Sequence, residues 1–291
     1  MAASPHGSSS GPTHTDSHEG LSDSPLGKIS ENPTTYTPSL LHSIPRAQTR
    51  QAIGLPDISD VLGVDIWNGY EFSWLNAKGK PEVSGLRLHV PCQSRAIVES
   101  KSLKLYLNSF AMTRFDTTAD VQKTLDKDLS LAFQAPVVLE LLELSSLFGS
   151  QVPLSGFKLD DLDVAVDQYT ADRSLLQHDP GDNVVHELLY TDLFRSLCPV
   201  TGQPDWASLS VEYAGRVIDR SALLKYLISF RNHQAFHETT VEQIYVDLRE
   251  VCNPERLTVH GRFVRRGGLD INPFRSNVSA EPTHDARLPR Q

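Results

Sequence analysis

The stretch Leu197-Cys198-Pro199-Val200-Thr201-Gly202-Gln203-Pro204-Asp205-Trp206 sets a thiol seven positions ahead of a carboxylate. Proline fixes φ and glycine accepts angles that other residues avoid, so the segment is bent and stiff. A stiff loop holds a nucleophile and a proton donor at a fixed separation, which covalent catalysis requires. Taken alone, Cys198 fits a small buried hydrophobe better than a nucleophile. Asp205 alone fits a turn residue or a surface charge.

Other residues change that balance. Arg231-Asn232-His233-Gln234-Ala235-Phe236-His237-Glu238 carries two imidazoles four positions apart and a glutamate. The spacing is not His-Glu-x-x-His, and a zinc ion would need a third ligand from Cys198 or further away. Three readings stand here: a metal site, ordinary polar residues at a helix end, or a contact to a polar heterocycle. In the last, a buried carboxylate matches the N–H and amino edge of a guanine-like ring. Glu99 precedes a helix, where a carboxylate suits the positive end of the dipole. If it also faces the seam, each half of the chain sends one carboxylate to one ligand. Arg262-Phe263-Val264-Arg265-Arg266-Gly267-Gly268 brings arginines to a glycine pair, either a phosphate contact or a charged strand end facing water. Lys101 and Lys104 stand ready to add charge. No GxGxxG or GxxxxGK[ST] occurs, so a nucleotide would be held without a Rossmann or P-loop cradle.

The elements that must position these groups follow from periodicity. Strand-like sequence over 184–194 and 206–213 flanks the cysteine loop. Over 65–75, Tyr70, Phe72 and Trp74 alternate onto one face of a strand; 77–81 turns, and Leu86, Leu88 and Val90 alternate on the return, making a hairpin. Ser100 and Ser102 suit a helix start, and Leu103, Tyr106, Leu107 and Phe110 keep its apolar stripe. A second helix runs from Thr118 through Val121, Leu125 and Leu129, and a strand over 137–141 closes the half. Residues 44–63 read as irregular. The order then repeats: Leu103-Lys104-Leu105-Tyr106-Leu107-Asn108-Ser109-Phe110 and Leu223-Leu224-Lys225-Tyr226-Leu227-Ile228-Ser229-Phe230, offset by 120, agree at five of eight positions. Paired threonines (Thr117-Thr118, Thr239-Thr240) follow each, then strands at Val137 and Leu257. Two copies of one strand-strand-helix-helix-strand unit are expected, packed face to face with a pocket at the seam.

The chain has 291 residues, 39 % apolar and 22 % charged, as in a soluble globular protein. A net charge of −9 argues against nucleic-acid binding. Three cysteines (Cys92, Cys198, Cys252) form no even framework, so disulfides are not expected and a reducing cytoplasm is. Apolar runs are too short for a membrane span. Residues 1–26 carry almost no apolar side chains and read as a solvated, disordered tail.

Together these segments resemble the NADPH-dependent 7-cyano-7-deazaguanine reductases of queuosine biosynthesis, in their long two-module form. The resemblance rests on Tyr70-Glu71-Phe72-Ser73-Trp74-Leu75-Asn76, Glu99-Ser100-Lys101-Ser102-Leu103-Lys104, Cys198 through Trp206, Phe236-His237-Glu238, and Arg265-Arg266-Gly267-Gly268-Leu269-Asp270-Ile271-Asn272-Pro273. It runs from about Leu26 to the last residue. It implies an α+β fold of two tandem tunnelling-fold modules, 27–155 and 156–291, antiparallel sheets each carrying paired helices, in a homodimer. It also implies the roles. Cys198 is the nucleophile that forms a thioimide and Asp205 the proton donor. Val98, Glu99, Ser100, Phe236, His237 and Glu238 bind the deazapurine; Ser100, Lys101, Arg266 and Gly267 contact NADPH. Two NADPH are used per nitrile reduced, in a tRNA-modification pathway, with no metal, nucleic acid or membrane as partner. The alternatives are a tunnelling-fold zinc cyclohydrolase acting on a purine- or pterin-like ring, a nitrile-cleaving cysteine hydrolase and a non-catalytic purine-binding module.

Overall fold

A computed structural model describes residues 33–147 and 151–291; the tail expected over 1–26 lies outside them. In chain order the elements are β1 (Ser43–Pro45), α1 (Ala47–Ala52), β2 (Leu62–Leu75), β3 (Pro81–Pro91), β4 (Ala96–Val98), α2 (Ser100–Asn108), α3 (Thr118–Phe133), β5 (Val138–Leu142), α4 (Leu144–Leu147), β6 (Phe157–Lys158), β7 (Val184–Leu197), β8 (Pro204–Arg216), α5 (Arg220–Ser229), α6 (His237–Cys252), β9 (Arg256–Phe263) and β10 (Leu269–Ser276). The class is α+β with antiparallel pairing, as expected, apart from the short β6, which runs parallel to β7. Segment 44–63 is more regular than its composition suggests, because Ser43, Ile44 and Pro45 pair with Val98, Ile97 and Ala96 before a short helix forms.

The repeat has physical content. Both long hairpins carry a bulge at the matching place, between Gly69 and Phe72 in β2 and between Thr191 and Phe194 in β7. The Tyr106 hydroxyl donates to Asp128 at 2.8 Å, and that of Tyr226 to Asp247 at 2.7 Å. Ser109 and Ser229 each donate to the carbonyl of the preceding tyrosine at 2.6 Å. The identities between the halves thus mark a shared buried hydrogen-bond scheme. The first bulge corrects one expectation: it reverses the alternation, so Phe72 and Trp74 are buried in the core while the Tyr70 hydroxyl reaches Asp270 at 2.5 Å.

The halves do not pack face to face. Eight strands form one sheet in the order β5-β3-β2-β10-β9-β8-β7-β6, joined edge to edge where β10 lies along β2 through eight residue pairs. Helices already cover one face of each half, and β10, a strand beyond the predicted unit, supplies the joining edge. Pro273 in this central strand is tolerated because β10 pairs with β9 only from Phe274 onward. In the gap, the Phe263 N–H donates to the Asn272 side chain at 3.2 Å instead of to a backbone carbonyl. The splay between β9 and β10 opens beside the cysteine loop.

Candidate active site

Leu197 pairs with Pro204 and Ser196 with Asp205, so Asp205 is a strand residue and the loop itself is residues 198–203. After the bulge in β7 the buried face reads Phe194, Ser196, Cys198, and Asp205 and Ala207 share that face on β8. The loop closes on itself: the Cys198 N–H donates to the Gln203 carbonyl at 2.9 Å and the Gly202 N–H to the Cys198 carbonyl at 3.0 Å. Gly202 takes φ +65°, which its lack of a side chain permits. From outside, the Leu197 N–H donates to the His233 carbonyl at 2.8 Å, so the segment entering α6 braces the cysteine.

Cys198 and Asp205, each 4 % exposed, open onto one pocket enclosing about 550 Å³, part of it solvent. The second half contributes Cys198, Asp205, Phe236, His237, Glu238 and Arg266; the first contributes Trp67, Val98, Ser100 and Lys104. Asp205 stands between the His237 imidazole and the Arg266 guanidinium, Nε2 and Nε each at 3.3 Å. The His237 ring lies flat on Phe263, centroids 3.9 Å apart and planes 7° apart, which fixes its orientation. His237 Nδ1 and Trp67 Nε1 are buried without a hydrogen-bond partner. Burial, then the nearby Asp65 charge, raises the Glu238 pKa above the ordinary glutamate value, opposed by Arg46 and His237. Burial and the like charge of Arg266 lower the Lys104 pKa, opposed by Glu99, Asp205 and Cys198.

Three residues assigned to binding, Glu99, Lys101 and Gly267, are outside the pocket lining. The Glu99 carboxylate is fully buried and accepts from the backbone N–H groups of Lys101 at 2.6 Å and Ser102 at 2.8 Å, capping α2. That fixes its neighbours Val98 and Ser100 in the lining. Lys101 is outside the lining, and Lys104, one helical turn on from Ser100, takes the inward place. Gly267, at φ +57°, lies against that lysine: a Cβ there would stand 3.3 Å from Lys104 Cδ and Cε. Arg265 turns away from Arg266 to stack 5.0 Å over the Tyr70 ring. His233 follows a 3-10 turn while His237 opens α6, so the two imidazoles do not share a helix face. Among the described residues no group of three or more His, Cys, Asp or Glu is arranged to hold a metal. No helix among them is long and apolar enough to cross a membrane.

Lys104 and Trp67 are the lining residues that the sequence reading missed or underrated. The i, i+4 step from Ser100 carried the signal for Lys104. Trp67 was hidden by the bulge, beyond which the parity of β2 changes.

A thiol, a carboxylate, an imidazole and a guanidinium converging between related halves of an α+β protein define a candidate enzyme of covalent catalysis with an anion-holding rim. Residues 32–141 match the family described as nitrile reductase, 7-cyano-7-deazaguanine-reductase N-term, and residues 204–282 that described as QueF-like protein. The NADPH-dependent 7-cyano-7-deazaguanine reductase of Bordetella pertussis is 50 % identical over 273 residues, 93 % of this chain and 99 % of the relative. That of Hahella chejuensis is 49 % identical over 267 residues, 91 % of this chain and 97 % of the relative. The crystal structure of the archaeosine synthase QueF-Like in the apo form aligns with 35 % of this chain and 99 % of its own, at 20 % identity and TM-score 0.29. The chain belongs to the NADPH-dependent 7-cyano-7-deazaguanine reductase family.

Proposed function

We propose that this protein reduces the nitrile of 7-cyano-7-deazaguanine to the aminomethyl group, using NADPH. The observation that carries the reading is the convergence of Cys198, Asp205, His237 and Glu238 in one pocket, with Lys104 and Arg266 at its rim. Glu238 accepts hydrogen bonds from the ring N–H and amino group, and Phe236 and Trp67 give the pocket flat apolar walls.

The site suits NADPH on two observations. Two cations, partly buried Lys104 and partly exposed Arg266, lie near enough to repel each other, an arrangement that a phosphate oxygen relieves. Beside them Gly267 and Gly268, at φ +57° and +82°, keep the backbone free of side chains, so that it can approach a ligand closely. Ser100, Lys104, Arg266 and Gly267 would hold it. When bound, NADPH supplies hydride, twice per turnover.

The chain's own groups do the rest. The Cys198 sulfur adds to the nitrile carbon; one C–N π bond breaks as the C–S bond forms, giving a thioimide. Asp205 takes the thiol proton and delivers it to the nitrogen, so the addition expels nothing. His237 and Arg266 on either side hold the carboxylate on that path. After the first reduction the C–S bond breaks to an imine, which stays in the pocket until the second. The tandem tunnelling-fold modules, the homodimer and the cytoplasmic setting belong to the same reading, and light scattering on the purified protein tests the dimer.

The test is mass spectrometry of denatured protein after mixing with the nitrile and no NADPH. Cys198 gains the full substrate mass, and Cys198→Ala gains none; an unshifted mass for the parent protein counts against covalent catalysis. Product analysis should give two NADPH per amine, and a ratio of one removes the second reduction.

A further inference from the structure

Behind the pocket lies a buried charge cluster that the chemistry above does not use. Arg46, at the β1–α1 turn, is 3 % exposed and reaches Asp65 of β2 at 2.5 Å and Glu242 of α6 at 3.5 Å. Arg50 of α1 and Arg275 of β10 each meet Glu242 at 2.8 Å, and Arg275 also meets Asp65 at 2.8 Å. Glu238 is one helical turn before Glu242, on the same face of α6 and at the pocket wall. We infer that Arg46 is a positioning residue for substrate recognition, the cation of this cluster that holds the Glu238 carboxylate at the pocket wall. The inference rests on Glu238 binding the substrate as proposed above.

The distribution of partners singles out Arg46. Without it Asp65 keeps Arg275, and Glu242 keeps both Arg50 and Arg275. Glu238 has no such reserve: Asp65 repels its charge, and Arg46 and His237 are the cations that favour it. His237 is itself drawn to Asp205. Arg46 also has a contact to spare, since its Nε–H is buried and has no hydrogen-bond partner. The other charged or titratable groups facing this region are Cys92 behind the cluster and Cys198, Lys104 and Arg266 across the pocket. β1 pairs with β4, which leads into Val98 and Ser100, so the same turn ties the first-half wall of the pocket to α6.

The experiment compares KM for the nitrile across pH 6 to 9 in the parent, Arg46→Gln, Arg46→Lys and Glu238→Gln. Loss of the cation pushes the Glu238 pKa further up, so Arg46→Gln raises KM at neutral pH by roughly tenfold. The defect then shrinks as pH rises and the carboxylate ionises. Arg46→Lys, which keeps the charge, stays close to the parent. A folded Arg46→Gln with unchanged KM, or with a raised KM that pH does not relieve, overturns the inference. If Arg46→Gln does not fold, a folded Arg46→Lys with a large, pH-independent rise in KM overturns it equally. Glu238→Gln separates the two claims: if it leaves KM unchanged, substrate recognition by Glu238 fails first.

Discussion

At the scale of single residues, Glu238 shows how a binding group and a stability cost coincide. Burial raises its pKa, so the folded protein binds that proton more tightly than the unfolded chain does. The stabilisation from such a shift is present below the ordinary glutamate range and is lost as pH rises through the folded value. At pH 7 the ionised carboxylate therefore opposes folding. Glu238→Gln is expected to raise the melting temperature at pH 7, with little change near pH 4, while weakening substrate binding. A hydrogen bond to a charged group is worth about 1.5–3 kcal/mol, so KM should rise by roughly 10- to 150-fold. Calorimetry beside steady-state kinetics measures both; a variant that binds normally removes Glu238 from the site. Cys198, Asp205, His237 and Glu238 stood out in the sequence by residue type, and the family resemblance supplied the roles expected of them. Arg46 did not, because a buried arginine shows its role only through partners at positions 65 and 242, on separate elements.

At the scale of elements, the start of α2 and the β9–β10 turn form one device. Glu99 spends its carboxylate on α2's first N–H groups, so the helix end presents Ser100 and then Lys104 to the pocket. Across from it, Gly267 leaves room for the lysine stem. Gly267→Ala puts a side chain at φ +57° and 3.3 Å from that stem, costing about 1 kcal/mol in backbone strain and displacing Lys104. KM for NADPH should rise several-fold while mass-detected addition of the nitrile to Cys198 stays intact. Lys104→Met should give the same split, and a loss of nitrile addition in either variant would show that this rim serves the substrate instead. The helices and hairpins were readable from periodicity, as Leu86, Leu88 and Val90 and the Val121-Leu125-Leu129 stripe attest. The two bulges were not, since a doubled residue in a strand leaves the composition unchanged and alters only which face each later side chain meets.

For the whole molecule, duplication was visible in the sequence, but the way the copies join was not. β10 lies beyond the unit expected for the second half, and it gives Leu269 and Ile271 to the first half's core. In return Leu55, Val61 and Cys92 of the first half sit in the core of the second. Arg275 and Glu242 of the second half meet Asp65, Arg46 and Arg50 of the first, with Arg275 fully buried. Breaking such a buried pair by removing one partner costs about 3–5 kcal/mol, comparable to the whole stability of many domains. A molecule with shared cores and a shared charge cluster has no plane along which one half separates intact. Urea unfolding should therefore follow one transition in both halves. Trp206→Phe leaves the tryptophans Trp67 and Trp74, both in the first half, so its fluorescence reports that half alone. Far-UV circular dichroism reports the whole chain. Coincident midpoints and slopes are expected. Arg275→Met should lower both midpoints together, because the cluster it breaks belongs to neither half. A first-half fluorescence transition displaced from the dichroism curve would mean that the halves unfold as separate modules, and the pocket between them would then open without either one melting.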